Sequence, residues 1–217
     1  MKGTRKFAVV LAGCGVYDGA EIHEAVMTLY AIDRNHCTCQ IFAPDVPQHH
    51  VINHLTGKPE QASRQVLAES ARIARGKIRS LAEFRATDFD ILIFPGGFGV
   101  AKNLCTFAFD GAACSVNPDV ERAIRTMHAA GKPIGALCIA PVLLARTLGD
   151  VKVTIGQDAS TARAIAAMGA VHQPTGHREV VIDKKNKIVT SPCYMLDATL
   201  TDIAEGAMKT VEALLDL

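Results

Sequence analysis

Gly135-Ala136-Leu137-Cys138-Ile139-Ala140-Pro141 takes the chain from strand to helix across a single cysteine. Lys132-Pro133-Ile134-Gly135 opens a short apolar strand. Residues 140–145 have helical composition, with Pro141 where a first helical turn tolerates it. Cys138 therefore falls on the corner. A thiol there is near unsatisfied backbone N–H groups and the positive end of the helix dipole, both of which favour the thiolate. These residues alone allow two readings: a nucleophile, or a small buried hydrophobe, the usual state of a free cysteine.

Outward from this stretch, residues 7–12 and 91–94 are continuous apolar runs. They end in Gly13-Cys14-Gly15 and Pro95-Gly96-Gly97-Phe98-Gly99, as buried parallel strands do. Residues 38–43 alternate and read as the second strand, ended by Pro44 and Pro47; 151–155 reads as a short strand and 179–190 as a hairpin. Helical patterns at about 18–34, 61–75, 120–130, 159–168 and 200–215 lie between them. The chain is thus α/β with a mainly parallel central sheet. Ligands of such sheets sit at the C-terminal ends of strands, where Cys138, Gly96 and Gly97 fall. The paired glycines permit close backbone approach, and their N–H groups are candidates to face a reacting oxygen. Lys102 and Asn103 follow as polar candidates for the same site, with solvated surface as their alternative. Neither a GxGxxG fingerprint nor a GK[ST] loop is present.

A chain of 217 residues can bury one full core, and no repeat or linker divides residues 1–217. With 49% hydrophobic residues, 21% charged residues and a net charge of +1, neither nucleic acid nor membrane is an expected partner; a small molecule is. Residues 1–6 are basic, but 7–12 is too short to span a bilayer and no cleavage pattern follows, so the sequence reads as cytoplasmic. Seven cysteines at irregular spacings fit reduced thiols better than disulfides. Cys37 and Cys39, with His36, His49, His50 and His54 nearby, match no zinc spacing, so no metal is expected.

Asp18-Gly19-Ala20-Glu21 has capping-box spacing, with Asp18 as N-cap and Glu21 at the third helical position. In the helix beyond it, Ile22, Ala25, Val26, Leu29 and Ile32 form the main apolar face, while Glu24 shares a second stripe with Ala20, Met27 and Ala31. A carboxylate on such a stripe is partly buried and its pKa raised towards the range useful for moving protons; the plain alternative is a solvated glutamate. Residues 45–76 are longer than an α/β crossover requires and are expected to cover the site or make a subunit contact. They contain His54, which is an accessory acid/base candidate or a solvated loop histidine.

Residues 13–26 (GCGVYDGAEIHEAV), 51–57 (VINHLTG), 95–104 (PGGFGVAKNL) and 136–141 (ALCIAP) together resemble the PfpI-type branch of the class I glutamine amidotransferase-like superfamily. Within it the chain is similar, nearly end to end, to the ElbB-like, isoprenoid-biosynthesis-associated glyoxalases. The resemblance implies a flavodoxin-like three-layer sandwich with a nucleophile elbow, a family-specific insertion near 45–76, and a homodimer. Carried over, Cys138 is the nucleophile, Glu24 the glutamate beside it, and the N–H groups of Gly97 and Ile139 bind a developing oxyanion. The implied activity is a cofactor-independent glyoxalase. Cys138 adds to glyoxal or methylglyoxal, Glu24 moves a proton through an enediol, and the resulting thioester is hydrolysed.

The sequence departs from its superfamily in its histidines. Thr190-Ser191-Pro192-Cys193-Tyr194 holds no His-x-Glu, and Gly156-Gln157-Asp158 stands where several PfpI-type enzymes have a histidine. Glutaminase and ordinary protease activities are therefore disfavoured. Two other readings use the same cysteine: a redox-sensing or stress-regulatory protein in which Cys138 is oxidised, and a deglycase of aldehyde adducts. No Asp-rich motif points to prenyl diphosphates.

Overall fold

The apolar runs that end in glycine form the middle of the sheet. The computed structural model describes residues 4–217. In chain order the elements are β1 (Lys6–Val10), α1 (Ile22–Arg34), β2 (Thr38–Ala43), β3 (Ile52–Asn53), β4 (Lys58–Pro59), α2 (Val66–Ile73), β5 (Ile78–Ser80), β6 (Ile91–Phe94) and α3 (Phe107–Asp110). Then come α4 (Pro118–Ala129), β7 (Ile134–Leu137), α5 (Pro141–Leu148), β8 (Lys152–Val153), α6 (Ala159–Ala167), β9 (Val171–His172), β10 (Val181–Asp183), β11 (Ile188–Ser191) and α7 (Leu200–Leu215). The main sheet runs β10-β11-β7-β6-β1-β2-β5, with every pair parallel except β10 against β11.

Strand alternation feeds two cores. Val10, Leu92, Phe94 and Ile134 meet Val120, Ile124 and Met127 of α4 and Leu143 and Leu144 of α5 on one face. Phe7, Val9, Ile91, Ile93 and Val189 meet Ala25 and Ile32 of α1 and Val211 and Leu214 of α7 on the other. The result is a flavodoxin-like three-layer sandwich. Strands covered on both sides need apolar residues throughout, which is why β6, β7 and β11 are buried at every position. Among the described residues, no helix is long and apolar enough to cross a membrane.

Several local expectations change. Glu21 caps α1, its carboxylate accepting the Glu24 N–H at 2.8 Å. Asp18 is no N-cap; its carboxylate accepts the Ile52 N–H at 2.6 Å and ties the 45–76 segment to the loop after β1. The buried face of α1 is Glu24, Ala25, Thr28, Ala31 and Ile32, whereas Ile22 and Val26 are 42% and 44% exposed. With two apolar stripes on one helix, the neighbours decide which turns inward. The helix expected from residue 61 starts at Val66, with Gln65 extended as its N-cap. The edge strand β5 has no apolar run to announce it.

Gly135 lets α7 approach β7. A Cβ there would lie 2.7 Å from Leu214 Cδ1 and 3.0 Å from Ile93 Cγ1. Gly135→Val is expected to lower the unfolding free energy by about 1–3 kcal/mol through overpacking, read from the midpoint of a urea titration.

Candidate active site

Cys138 leaves β7 with φ of +59°, and α5 begins three residues later at Pro141. A left-handed non-glycine residue costs on the order of 1–3 kcal/mol and persists only where its surroundings hold it. Here the Cys138 N–H donates to Ser191 O at 2.9 Å, anchoring the corner to the end of β11. The residue is 7% exposed.

Glu24 is fully buried beneath it. Its Oε2 accepts the Gly96 N–H at 3.0 Å and its Oε1 accepts the Tyr194 N–H at 3.1 Å. A Cβ placed on Gly96 would lie 2.6 Å from Glu24 Oε2 and 2.9 Å from Cys138 Sγ, so carboxyl and thiol converge where Gly96 has no side chain. Burial pushes the Glu24 carboxyl up to about 8; the Tyr194 N–H opposes this most, and the Glu21 charge adds to it. Burial also pushes the Cys138 thiol well above its usual value, the Glu24 charge adds to that, and the Gly97 N–H works the other way. This reverses the expectation of a resting thiolate. Dehydration and a neighbouring carboxyl outweigh a helix terminus that starts three positions further on.

The two glycines divide the work differently from the sequence reading. Gly96 is not free to bind an oxyanion, because its N–H is committed to Glu24. Gly97, at φ +105°, turns its N–H to the thiol, and the Ile139 N–H is uncommitted among the described residues. Asn103 is spent on the scaffold: Nδ2 donates to Ala12 O and Asp18 O, each at 2.9 Å, and Oδ1 accepts the His49 N–H at 2.9 Å. His54 is likewise engaged at both ring nitrogens. Nδ1 donates to Ile52 O at 3.0 Å and Nε2 accepts the Tyr17 N–H at 3.2 Å, the arrangement of the neutral ring with its hydrogen on Nδ1. Both residues hold loops together.

The turn after β11, which holds no His-x-Glu, belongs to the site through its backbone. Tyr194 contributes the N–H that holds Glu24, and its hydroxyl lies 2.9 Å from His23 Nδ1. Cys193 is buried beside Cys138, also left-handed at φ +43°. The signal was its register: Leu137 pairs with Ser191, which places 192–194 level with the elbow.

The model of the DJ-1/PfpI family matches residues 14–199. The chain belongs to this family. It is 52% identical to the human glutamine amidotransferase-like class 1 domain-containing protein 3, mitochondrial, over 98% of this chain and 83% of that protein. The crystal structure of an isoprenoid biosynthesis protein with an amidotransferase-like domain from Ehrlichia chaffeensis has TM-score 0.91 and 36% identity, covering 97% of this chain and 99% of that one. Glyoxalase III from Candida albicans has the same fold, with TM-score 0.63 at 15% identity over 98% of this chain and 96% of that one. The cytoplasmic expectation is overturned. Relatives from human, rat and zebrafish are all mitochondrial by name. The short apolar run at 7–12, on which the expectation stood, does not tell these compartments apart.

The Glu24 carboxyl carbon is expected to titrate near 8 in carbon-13 NMR. Between about 4.5 and 8 the folded chain keeps a proton that the unfolded chain has released. Glu24's contribution to stability is therefore full below about 4.5 and lost as the pH rises to about 8, which urea titrations across that window would read.

Proposed function

We propose that this chain is an ElbB-like, cofactor-independent glyoxalase that converts glyoxal or methylglyoxal to the corresponding hydroxy acid. One observation carries the reading: a single buried carboxyl, pushed up to about 8 by burial, stands against the thiol, and among the described residues no histidine is hydrogen-bonded to either group. A lone carboxyl at that value takes and returns protons near neutrality, which aldehyde isomerisation requires and peptide hydrolysis does not.

The active pair holds one proton. The Cys138 sulfur adds to an aldehyde carbon, and Glu24 gives its proton to the oxygen, which lies against the N–H groups of Gly97 and Ile139. The carboxylate so formed takes the hydrogen from the sulfur-bearing carbon, leaving an enediolate with one hydroxyl proton between its two adjacent oxygens. Glu24 returns its proton to the second carbon as that hydroxyl proton passes to the second carbon's oxygen, which completes a thioester of the hydroxy acid. Glu24 then takes a proton from water as its oxygen attacks the thioester, which releases product and restores the pair. The fold shared with glyoxalase III is compatible with this reading. A deglycase would use the same two residues on aldehyde adducts of amines, and controls with the adduct's free aldehyde trapped separate it.

Purified protein incubated with glyoxal under reducing conditions is expected to form glycolate, and Cys138→Ala to abolish it. Glu24→Asp, which withdraws the carboxyl from the Gly96 and Tyr194 N–H groups, is expected to cost about 100- to 10,000-fold in kcat. Because the resting pair holds two protons below about 8, kcat/KM should rise about tenfold per pH unit up to that value and then level off. Equal turnover by wild type and Cys138→Ala would overturn the assignment.

A further inference from the structure

Two of the strand ends that meet at Glu24 carry a cysteine, and the proposed reaction uses only one of them. β7 and β11 run parallel with Leu137 opposite Ser191, and each chain turns just beyond that pair, at Cys138 and, after Pro192, at Cys193. Both cysteines have left-handed φ and both sit in one buried cluster with Leu137, Ile203 and Ala207. The strands they leave are neighbours, about 4.8 Å apart; Cys138 Sγ lies on the Gly96 side of the gap and Cys193 Sγ on the Gly206 side, and a disulfide spans Cα separations of about 4.4–6.8 Å. Both residues lie past the last paired positions of the sheet, in a corner and a one-turn 3-10 helix, so joining them breaks no ladder bond.

Place in the proposed site, and not exposure, distinguishes this pair from the other buried thiols: Cys138 and Cys193 are 7% and 5% exposed, Cys105 and Cys114 3% and 0%. Cys138 stands where a small reagent has to arrive, and Cys193 needs only Cys138. We infer that Cys193 is the resolving thiol of Cys138, closing a reversible Cys138–Cys193 disulfide after a hydroperoxide has oxidised the nucleophile.

The sulfur of Cys138 attacks the peroxide oxygen and the O–O bond breaks. Sulfur is oxidised to the sulfenic acid and the peroxide reduced to water or an alcohol. Cys193 sulfur then attacks Cys138 sulfur: the S–S bond forms, the S–O bond breaks, and the departing hydroxide leaves as water with the Cys193 proton. A small-molecule dithiol supplies two electrons and two protons to restore both thiols. While the disulfide stands, no thiol faces Glu24 and the aldehyde site is off. Without Cys193, a sulfenic acid held in this corner goes on to the sulfinic acid, which a dithiol does not reverse.

The inference rests on the reactive Cys138 of the proposed function but is read by mass and not by turnover. Wild type, Cys193→Ser and Cys193→Ala, the second guarding against a folding defect in the first, are treated with hydrogen peroxide and mapped as non-reduced peptides. Wild type is expected to give a cross-linked pair of peptides containing Cys138 and Cys193 that dithiothreitol separates. Both variants should instead collect Cys138 sulfinic acid that dithiothreitol leaves in place. A wild-type sample in which Cys138 becomes the sulfinic acid while Cys193 remains open to alkylation would overturn the inference. Failure of the reduced wild type to turn over glyoxal would sink the glyoxalase and leave the cross-link measurement standing.

Discussion

One buried carboxyl group gathers the ends of three strands. Glu24 accepts an N–H from Gly96 beyond β6 and another from Tyr194 beyond β11, and it faces Cys138 at the end of β7. Taking a carboxyl wholly out of water is costly unless it is hydrogen-bonded or neutral. This one is both, because two N–H groups are too few to hold it ionised at neutral pH against complete dehydration. The proton available for chemistry therefore follows from how the sheet is assembled.

The close approach depends on residues without side chains. A Cβ at Gly97 would meet Glu21 N at 2.3 Å, so the loop after β6 is pressed onto the start of α1. That contact turns the Gly97 N–H towards the thiol, while Gly96 leaves room for carboxyl and sulfur to meet. Glu21, capping the helix from the same spot, fixes the first turn that presents Glu24. The corner itself is held by β11, through the bond from Cys138 N–H to Ser191 O.

Those parts of the fold governed by local pattern were legible in the sequence. Residues 7–12 and 91–94 read as buried strands from apolar continuity alone, and the last helix falls on Leu200–Leu215 as its periodicity requires. Glu24 was legible only as one of two alternatives, buried on an apolar helical stripe or solvated, and its complete burial decides between them. The features that escaped were properties set by neighbours. The inward face of α1 was ambiguous because both its stripes are apolar, and β5 pairs with β2 through three residues of no distinctive character. The acidity of Cys138 turns on how completely later elements cover it. The role of Tyr194 lies in its backbone N–H, which any residue but proline supplies, so the side chain gave no hint.

The left-handed backbone at Cys138 has a bearing on how other chains of this fold are read. At such a corner glycine is the relaxed occupant, whereas a side chain carries a backbone cost. Exchange of the cysteine for glycine therefore runs downhill for the scaffold and removes the sulfur in the same step. In a homologue with an intact sheet, the residue at this corner tells whether a thiol stands over the buried carboxyl, independently of how well the fold is kept.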